Sequence, residues 1–182
     1  RVDTTLVFST SGDDIRLNGA VELQGGVTFT TNANETTGAN TQALGGDILF
    51  TDNTTIDSQA TGDVSEDNNL RLLAGTGNIS FNANLGNRQS GTADDFNSQL
   101  GTFIIEDTTG DVFFGGDDVD SDTGTADLAP VTAVRTNDFI DLGLGTDDTL
   151  DVIGGIFLNG GDTRGDTTLV FSTSGDDIRL NG

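Results

Sequence analysis

The apolar residues of the chain occur in short bursts that are separated by glycine, aspartate, asparagine and threonine. Typical bursts read LVFST at 6–10, VTFTT at 27–31, DILFTD at 47–52, FIIED at 103–107 and IFLNG at 156–160. Short apolar or β-branched runs bounded by turn-forming residues are typical of β-strands, and no stretch shows the periodicity of an amphipathic helix. The pattern therefore predicts an all-β protein.

Phenylalanines recur at a regular spacing within these bursts. Phe8, Phe29 and Phe50 follow one another at intervals of 21 residues, and Phe103 follows Phe81 by 22. A period of about 20 residues with two or three short strands suits one coil of a parallel β-helix, in which equivalent strands stack about 4.8 Å apart. Chance spacing among the 11 phenylalanines is the alternative. The predicted aromatic core ladder consists of Phe8, Phe29, Phe50, Phe81, Phe103, Phe157 and Phe171.

The chain also contains a long internal repeat. Residues 3–19, DTTLVFSTSGDDIRLNG, recur letter for letter at 166–182, which gives an offset of 163 residues. We therefore interpret residues 1–163 as one long β-solenoid repeat, and residues 164–182 as the first coil of the next repeat, continuous with it in fold. Because solenoids build length by stacking self-similar units, the expected partners are other copies of the same repeat, end to end.

The charge of the chain excludes several kinds of partner. It has 30 acidic residues and 7 basic ones, all arginine, for a formal net charge of −23 at pH 7. So acidic a chain repels nucleic acid and anionic membranes. No apolar run approaches the length of a transmembrane helix. We expect neither nucleic-acid binding nor membrane insertion.

The composition also argues against catalysis. Histidine, cysteine and lysine, which serve as the usual bases and nucleophiles, are absent. Parallel β-helices include polysaccharide lyases and hydrolases, and Asp14 with Arg16, or Asp138 and Asp141 with Arg135, could be cast in such a role. An ordinary surface ion pair is the simpler interpretation. We expect no catalytic site and no cofactor-binding site other than one for metal, and a β-helix polysaccharide-active enzyme is the less favoured alternative.

One acidic segment is a candidate calcium site. In DDVDSDTGTAD at 117–127, Asp118, Asp120 and Asp122 occupy alternate positions, and Asp127 follows. Alternate carboxylates of a loop can converge on a hard cation, and Ca²⁺ takes six to eight oxygen ligands. The segment lacks the glutamate that ends an EF-hand loop, so it is not an EF-hand. A solvated acidic loop is the alternative.

Longer stretches carry a family resemblance. DTTLVFSTSGDDIRLNGAV at 3–21, LRLLAGTGNISFNANLG at 70–86 and LGTFIIEDTTGDVFFGG at 100–116 resemble the repeats of filamentous-haemagglutinin-type bacterial surface proteins. The resemblance implies a right-handed parallel β-helix in an extracellular or cell-surface location. It implies the shaft of a filament or giant adhesion protein, which the net charge of −23 makes acidic. We expect neighbouring shafts or surface polysaccharide as further partners.

A second resemblance is local. NDFIDLGLGTDDTLDVIGG at 137–155 is similar to the calcium-binding nonapeptide of the repeats-in-toxin family. Gly143, Gly145 and Asp147 match that motif, whereas Leu142 replaces its first glycine. The resemblance adds Asp147 to the candidate calcium ligands. The alternative architecture is a tandem array of calcium-binding β-sandwich repeats that acts as a calcium-dependent adhesin module.

Overall fold

A computed structural model describes residues 5–31, 45–51, 55–61, 64–82, 84–86, 89–90, 93–94, 98–106, 108–115, 133–136, 140–142, 156–158, 169–175 and 177–180. The secondary structure in these ranges consists of short strands joined by turns. The strands are β1 (Leu6–Ser9), β2 (Ile15–Leu17), β3 (Val21–Leu23), β4 (Val27–Thr30), β5 (Ile48–Phe50), β6 (Ile56–Ser58), β7 (Ala60–Thr61), β8 (Val64–Ser65), β9 (Leu70–Leu73), β10 (Ile79–Phe81), β11 (Gln89–Ser90), β12 (Ala93–Asp94), β13 (Phe103–Ile105), β14 (Val112–Phe114), β15 (Ala133–Arg135), β16 (Ile140–Leu142), β17 (Ile156–Leu158), β18 (Val170–Ser172) and β19 (Ile178–Leu180). The predicted all-β class is confirmed.

Most strands pair side by side in three parallel stacks. Stack A holds β1, β4, β9, β13, β16 and β19, and stack B holds β2, β5, β10, β14 and β17. Stack C consists of the pairs β3–β6 and β15–β18, which are joined by isolated bridges from Ile56 to Leu85 and from Leu85 to Val134. Neighbouring strands within each stack run parallel.

The chain passes through the three stacks in a constant order, A, then B, then C, and we call each such passage a round. The first round is β1, β2 and β3, and the second is β4, β5 and β6. The third is β9, β10 and the bridge residue Leu85, the fourth is β13, β14 and β15, and the fifth is β16, β17 and β18. Strand β19 returns to stack A and begins a sixth round.

The rounds are longer than the predicted coils of about 20 residues. The register pairs Leu6 with Val27, an interval of 21, but the later intervals in stack A are 43, 33, 37 and 38 residues. Those in stack B are 33, 31, 33 and 44 residues. The predicted coil length fits the first interval of stack A but is wrong for the later ones, because the later rounds contain long connections between their strands, an inserted hairpin or both.

The inserted hairpins are the antiparallel pairs of the described chain. Strands β7 and β8 pair in this way, as do β11 and β12. Both hairpins follow a stack C position and precede a stack A strand. A tandem β-sandwich would instead build its main sheets from antiparallel strands, so the parallel stacks do not match that alternative.

Side chains alternate between the core and the solvent along some strands, whereas others, such as β5 and β10, are buried at every position. In β9, Leu70 and Leu72 are fully buried while Arg71 between them is exposed. Because the side-chain period of a strand is two, in-register stacking places the apolar positions of successive rounds one above another. Burial of each such side chain contributes roughly 1.5–3 kcal/mol to stability.

In the described ranges, no helix is long and apolar enough to cross a membrane.

Apolar side chains are exposed where the stacks end. In the first round these are Leu6, Val7 and Phe8, with exposed fractions of 55%, 55% and 47%. At the opposite end they are Leu158, Val170, Ile178 and Leu180. The core is therefore covered along its length and open at both ends.

Candidate functional site

The predicted calcium ligands Asp118, Asp120, Asp122, Asp127 and Asp147 lie outside the described residues, so calcium binding stays a prediction. Within the ranges that the structure describes, no group of three or more His, Cys, Asp or Glu residues could hold a metal ion.

Asp14 and Arg16, the first pair considered for catalysis, each form a hydrogen bond with another residue of the chain. Asp14 Oδ1 accepts a hydrogen bond of 2.8 Å from the main-chain N–H of Asp47. Arg16 Nε donates to Asn18 Oδ1 at 3.2 Å. Of the second set, Asp138 and the side chain of Asp141 lie outside the described part of the chain.

The phenylalanines form two in-register columns. In stack A, Phe8 lies opposite Phe29, and their rings stack with centroids 5.1 Å apart. In stack B, Phe81 stacks on Phe50 at 5.1 Å and on Phe114 at 4.9 Å. Nearly parallel rings at these separations gain about 0.5–1.5 kcal/mol beyond the burial of their area.

Edge contacts join the two columns and other aromatic residues. Phe29 meets Phe50 edge-on with ring centroids 6.0 Å apart, and Phe103 meets Phe81 edge-on at 5.6 Å. Phe171 contacts Phe114 in the same manner at 5.2 Å. The structure thus brings six of the predicted ladder residues together as two columns with edge contacts between stacks.

Position 157 falls in a different register from these columns. The pairing of β14 with β17 aligns Phe157 with Phe113, whereas Leu158 aligns with Phe114. The side chain of Phe157 lies outside the described part of the chain. Phe114, which the sequence analysis did not assign to the ladder, is fully buried in stack B between β10 and β17.

A column of aspartate and asparagine side chains runs along the edge of stack B. Each residue immediately precedes a stack B strand, and the side-chain oxygen of each of the first three accepts a hydrogen bond from the main-chain N–H of the next column member. Asp14 accepts from Asp47 at 2.8 Å, Asp47 accepts from Asn78 at 2.7 Å, and Asn78 accepts from Asp111 at 2.9 Å. We call Asp14, Asp47, Asn78 and Asp111 the Asx column. It connects four successive rounds.

Glycines accompany the Asx column because the rounds approach closely at this corner. A Cβ atom on Gly77 would lie 2.1 Å from the carbonyl oxygen of Gly46, and one on Gly110 would lie 2.1 Å from that of Gly77. Since both obstacles are main-chain atoms, a side chain at either position would force neighbouring rounds apart. The glycines therefore permit the short side-chain to main-chain bonds beside them.

Threonine and asparagine side chains tie the rounds together beside stack A. Thr31 Oγ1 donates to the carbonyl oxygen of Ala74 at 3.1 Å, and the N–H of Ala74 donates to Thr108 Oγ1 at 3.0 Å. The N–H of Thr102 donates to Asn69 Oδ1 at 2.9 Å. Each of these bonds satisfies a main-chain group at a corner, where the ladders of the stacks end.

An ion pair links adjacent rounds on stack A. Arg71 Nη2 contacts Glu106 Oε1, and the side chains are 46% and 5% exposed. The guanidinium thus compensates a carboxylate that is almost completely removed from water, and loss of one partner would leave a buried charge.

The open end at the first round contains a cavity of about 820 Å³. Its lining includes Leu6, Phe8, Ile15, Leu17 and Phe29, which face the same core that the later rounds fill. The cavity is therefore the uncovered end of the core.

Comparison of the chain with family models, with curated proteins and with solved structures found no match in any of the three. The function of the chain is therefore inferred from its stacks, its Asx column and its open ends.

One signal in the sequence marks the Asx column. The segments GDILF at 46–50, GNISF at 77–81 and GDVFF at 110–114 share a glycine, an acidic or amide residue, an aliphatic residue and a final phenylalanine. They follow one another at 31 and 33 residues, which are the intervals of stack B. This motif, more than the 21-residue phenylalanine spacing, reports the length of a round.

Proposed function

We propose that the chain is a structural repeat of an extracellular bacterial filament or giant surface or adhesion protein, and that stacks A, B and C are the three faces of a right-handed parallel β-solenoid. The observation that carries this proposal is the constant order of the stacks. Every round adds a strand, or in one case the bridge residue Leu85, to each stack, parallel to its predecessor.

The winding of the chain supports a solenoid. A chain that returns to three parallel stacks in constant order winds around a common axis. Connections between parallel strands of one sheet are right-handed in about 98% of cases, which favours the right-handed form. The six strands of stack A would extend about 24 Å along the axis at a spacing of about 4.8 Å.

The contacts between rounds support a mechanical role. Adjacent rounds share main-chain hydrogen bonds, the Asx column and a continuous core, so each round rests on the one before it. Solenoids gain length by adding such units, because each unit contacts only its neighbours. The net charge of −23 would keep neighbouring shafts apart at low ionic strength.

The residues that resemble filamentous-haemagglutinin-type repeats support an extracellular location. They include the motif segments at 77–81 and 110–114, so the resemblance and the Asx column involve the same residues. The lack of histidine, lysine and cysteine favours a structural role over a catalytic one. Incubation with acidic polysaccharides is expected to give no turnover, and release of reducing ends or unsaturated products would overturn this part of the proposal.

Fibre diffraction from aligned protein tests the architecture. Stacked rounds require a meridional reflection near 4.8 Å, which corresponds to the spacing between strands along the axis. A pattern without that reflection would overturn the solenoid.

Immunogold labelling of intact producing cells tests the location. Antibodies raised against the purified chain should label the outer surface or material extending from it. Labelling that appears only after the cells are permeabilised, as for a cytoplasmic marker, would overturn an extracellular role.

A further inference from the structure

The two copies of the repeated segment lie on different stacks. In the first copy, β1 belongs to stack A and β2 to stack B. In the second copy, the corresponding strands β18 and β19 belong to stack C and stack A. The same residues therefore occupy positions that are shifted by one stack.

The inward and outward positions of the segment are nevertheless the same in both copies. Phe8 stacks on Phe29 of the next round, and its counterpart Phe171 contacts Phe114 in the core. Arg16 and its counterpart Arg179 are both exposed. Because a strand fits a parallel stack through its two-residue alternation, one sequence can occupy any of the three stacks.

Counting strands explains the shift. With Leu85 as the stack C position of its round, the step from β1 to β18 is fourteen positions, and so is the step from β2 to β19. Fourteen positions are four complete rounds of three stacks and two further stacks. Two stacks forward in the order A, B, C is the same as one stack backward. We infer that each 163-residue repeat sets the following copy one stack around the axis, so that A becomes C, B becomes A and C becomes B. This inference rests on the proposed solenoid.

The shift identifies which surfaces meet where one copy follows another. In the second copy, the strands of the segment pair with strands of the preceding rounds. In the first copy, they pair with strands of the following round. Since Ile15 pairs with Ile48 in stack B, Ile178 would pair in stack A with the residue of the second copy that corresponds to Ile48. The exposed edges of β17, β18 and β19 are thus the surface on which the rest of the second copy would stack, and its strands would cover Leu158, Val170, Ile178 and Leu180.

The shift also distributes the inserted hairpins around the shaft. In this repeat both hairpins are inserted between stack C and stack A. In the next copy the equivalent corner lies between stacks B and C, and in the third it lies between A and B. An array would therefore present the same hairpins at all three corners, and in the fourth copy they would return to the first corner.

Disulfide formation within the 182-residue chain tests the shift, because the chain has no native cysteine. The register pairs Asp141 with Arg179 across β16 and β19 of stack A. A copy that kept the stacks of the first one would place Arg179 in stack B, beside Phe157 of β17. Neighbouring strands lie about 4.8 Å apart, within the Cα separation of a disulfide. The two test variants are D141C/R179C and F157C/R179C.

The matched control is R16C/L49C. Arg16 occupies the same place in the segment as Arg179, and it pairs with Leu49 in stack B. We expect D141C/R179C and the control to oxidise completely in non-reducing mass spectrometry, and F157C/R179C to retain free thiols. Circular dichroism of the reduced variants verifies that they fold.

The outcomes separate the shift from the solenoid. Closure of the 157–179 pair, or failure of the 141–179 pair while the control closes, would overturn the shift and leave the solenoid intact. Failure of the control as well, in folded protein, would overturn the parallel stacking itself.

Discussion

Asn78 accepts, through its Oδ1 atom, a hydrogen bond of 2.9 Å from the main-chain N–H of Asp111, which lies one round later in the chain. The same relationship holds between Asp47 and Asn78 and between Asp14 and Asp47. Each bond joins residues that are 31 to 33 positions apart in the chain. In a chain without cysteine, such bonds connect the rounds where a disulfide is not available.

Replacement of Asn78 by alanine should destabilise the chain by about 1–3 kcal/mol, because the N–H of Asp111 loses its acceptor in a partly buried corner. The measurement is the free energy of unfolding in urea, followed by circular dichroism. Asp47→Asn is the control, since it keeps an acceptor oxygen and removes a negative charge near Asp14. An unfolding midpoint for Asn78→Ala equal to that of the native chain would show that the Asx column contributes nothing.

Replacement of Gly77 by alanine should destabilise the chain by about 1–3 kcal/mol, as overpacking does elsewhere. The new Cβ would lie 2.1 Å from the Gly46 carbonyl oxygen, and neither main chain can move without disturbing the column. Gly26→Ala is the matched control, because its Cβ would meet nothing closer than Thr5 Oγ1 at 3.4 Å. Thermal unfolding should give Gly77→Ala a clearly lower melting temperature than Gly26→Ala. Equal melting temperatures would contradict the close approach of the rounds.

Replacement of Phe81 by alanine should cost about 3–5 kcal/mol, the usual range for a buried aromatic residue. Phe81 is fully buried and stacks against both Phe50 and Phe114. Phe8→Ala should cost far less, because that ring is 47% exposed and stacks on one side only, against Phe29. Urea unfolding of the two variants measures the difference, and equal losses would be incompatible with an open end at the first round.

A double-mutant cycle with Arg71→Met and Glu106→Gln tests the ion pair between β9 and the end of β13. Methionine keeps much of the apolar stem of arginine, so the cycle isolates the charge. Because Glu106 is buried beside Arg71, we expect a coupling energy of about 0.5–3 kcal/mol. Effects that add to within about 0.5 kcal/mol would show that the two side chains act independently.

The short apolar bursts bounded by turn-forming residues are sufficient to predict the all-β class, and the interval from Phe8 to Phe29 does equal one round of stack A. The equal interval from Phe29 to Phe50 misled the prediction of coil length, because that step leaves stack A for stack B. Two identical spacings thus describe different steps of the chain. Only the register of the strands distinguishes them.

Three of the four members of the Asx column could have been predicted from the motif, since a glycine and an acidic or amide residue precede the stack B strand in GDILF, GNISF and GDVFF, whereas Asp14 follows Asp13. The contact of Arg71 with Glu106 could not, because rounds of unequal length hide which residues become neighbours. The hairpin at Gln89–Asp94 lengthens the chain between β9 and β13 without changing their register. Sequence distance and spatial distance are therefore unrelated across such a round.

The change of stack between the two copies of residues 3–19 has a consequence for proteins that differ only in copy number. In a solenoid built from such units, a change in copy number adds or removes whole units. Removing one unit would turn everything beyond it by a third of a revolution as well as shortening the shaft. Removing three would shorten the shaft and leave its distal parts pointing in their original direction.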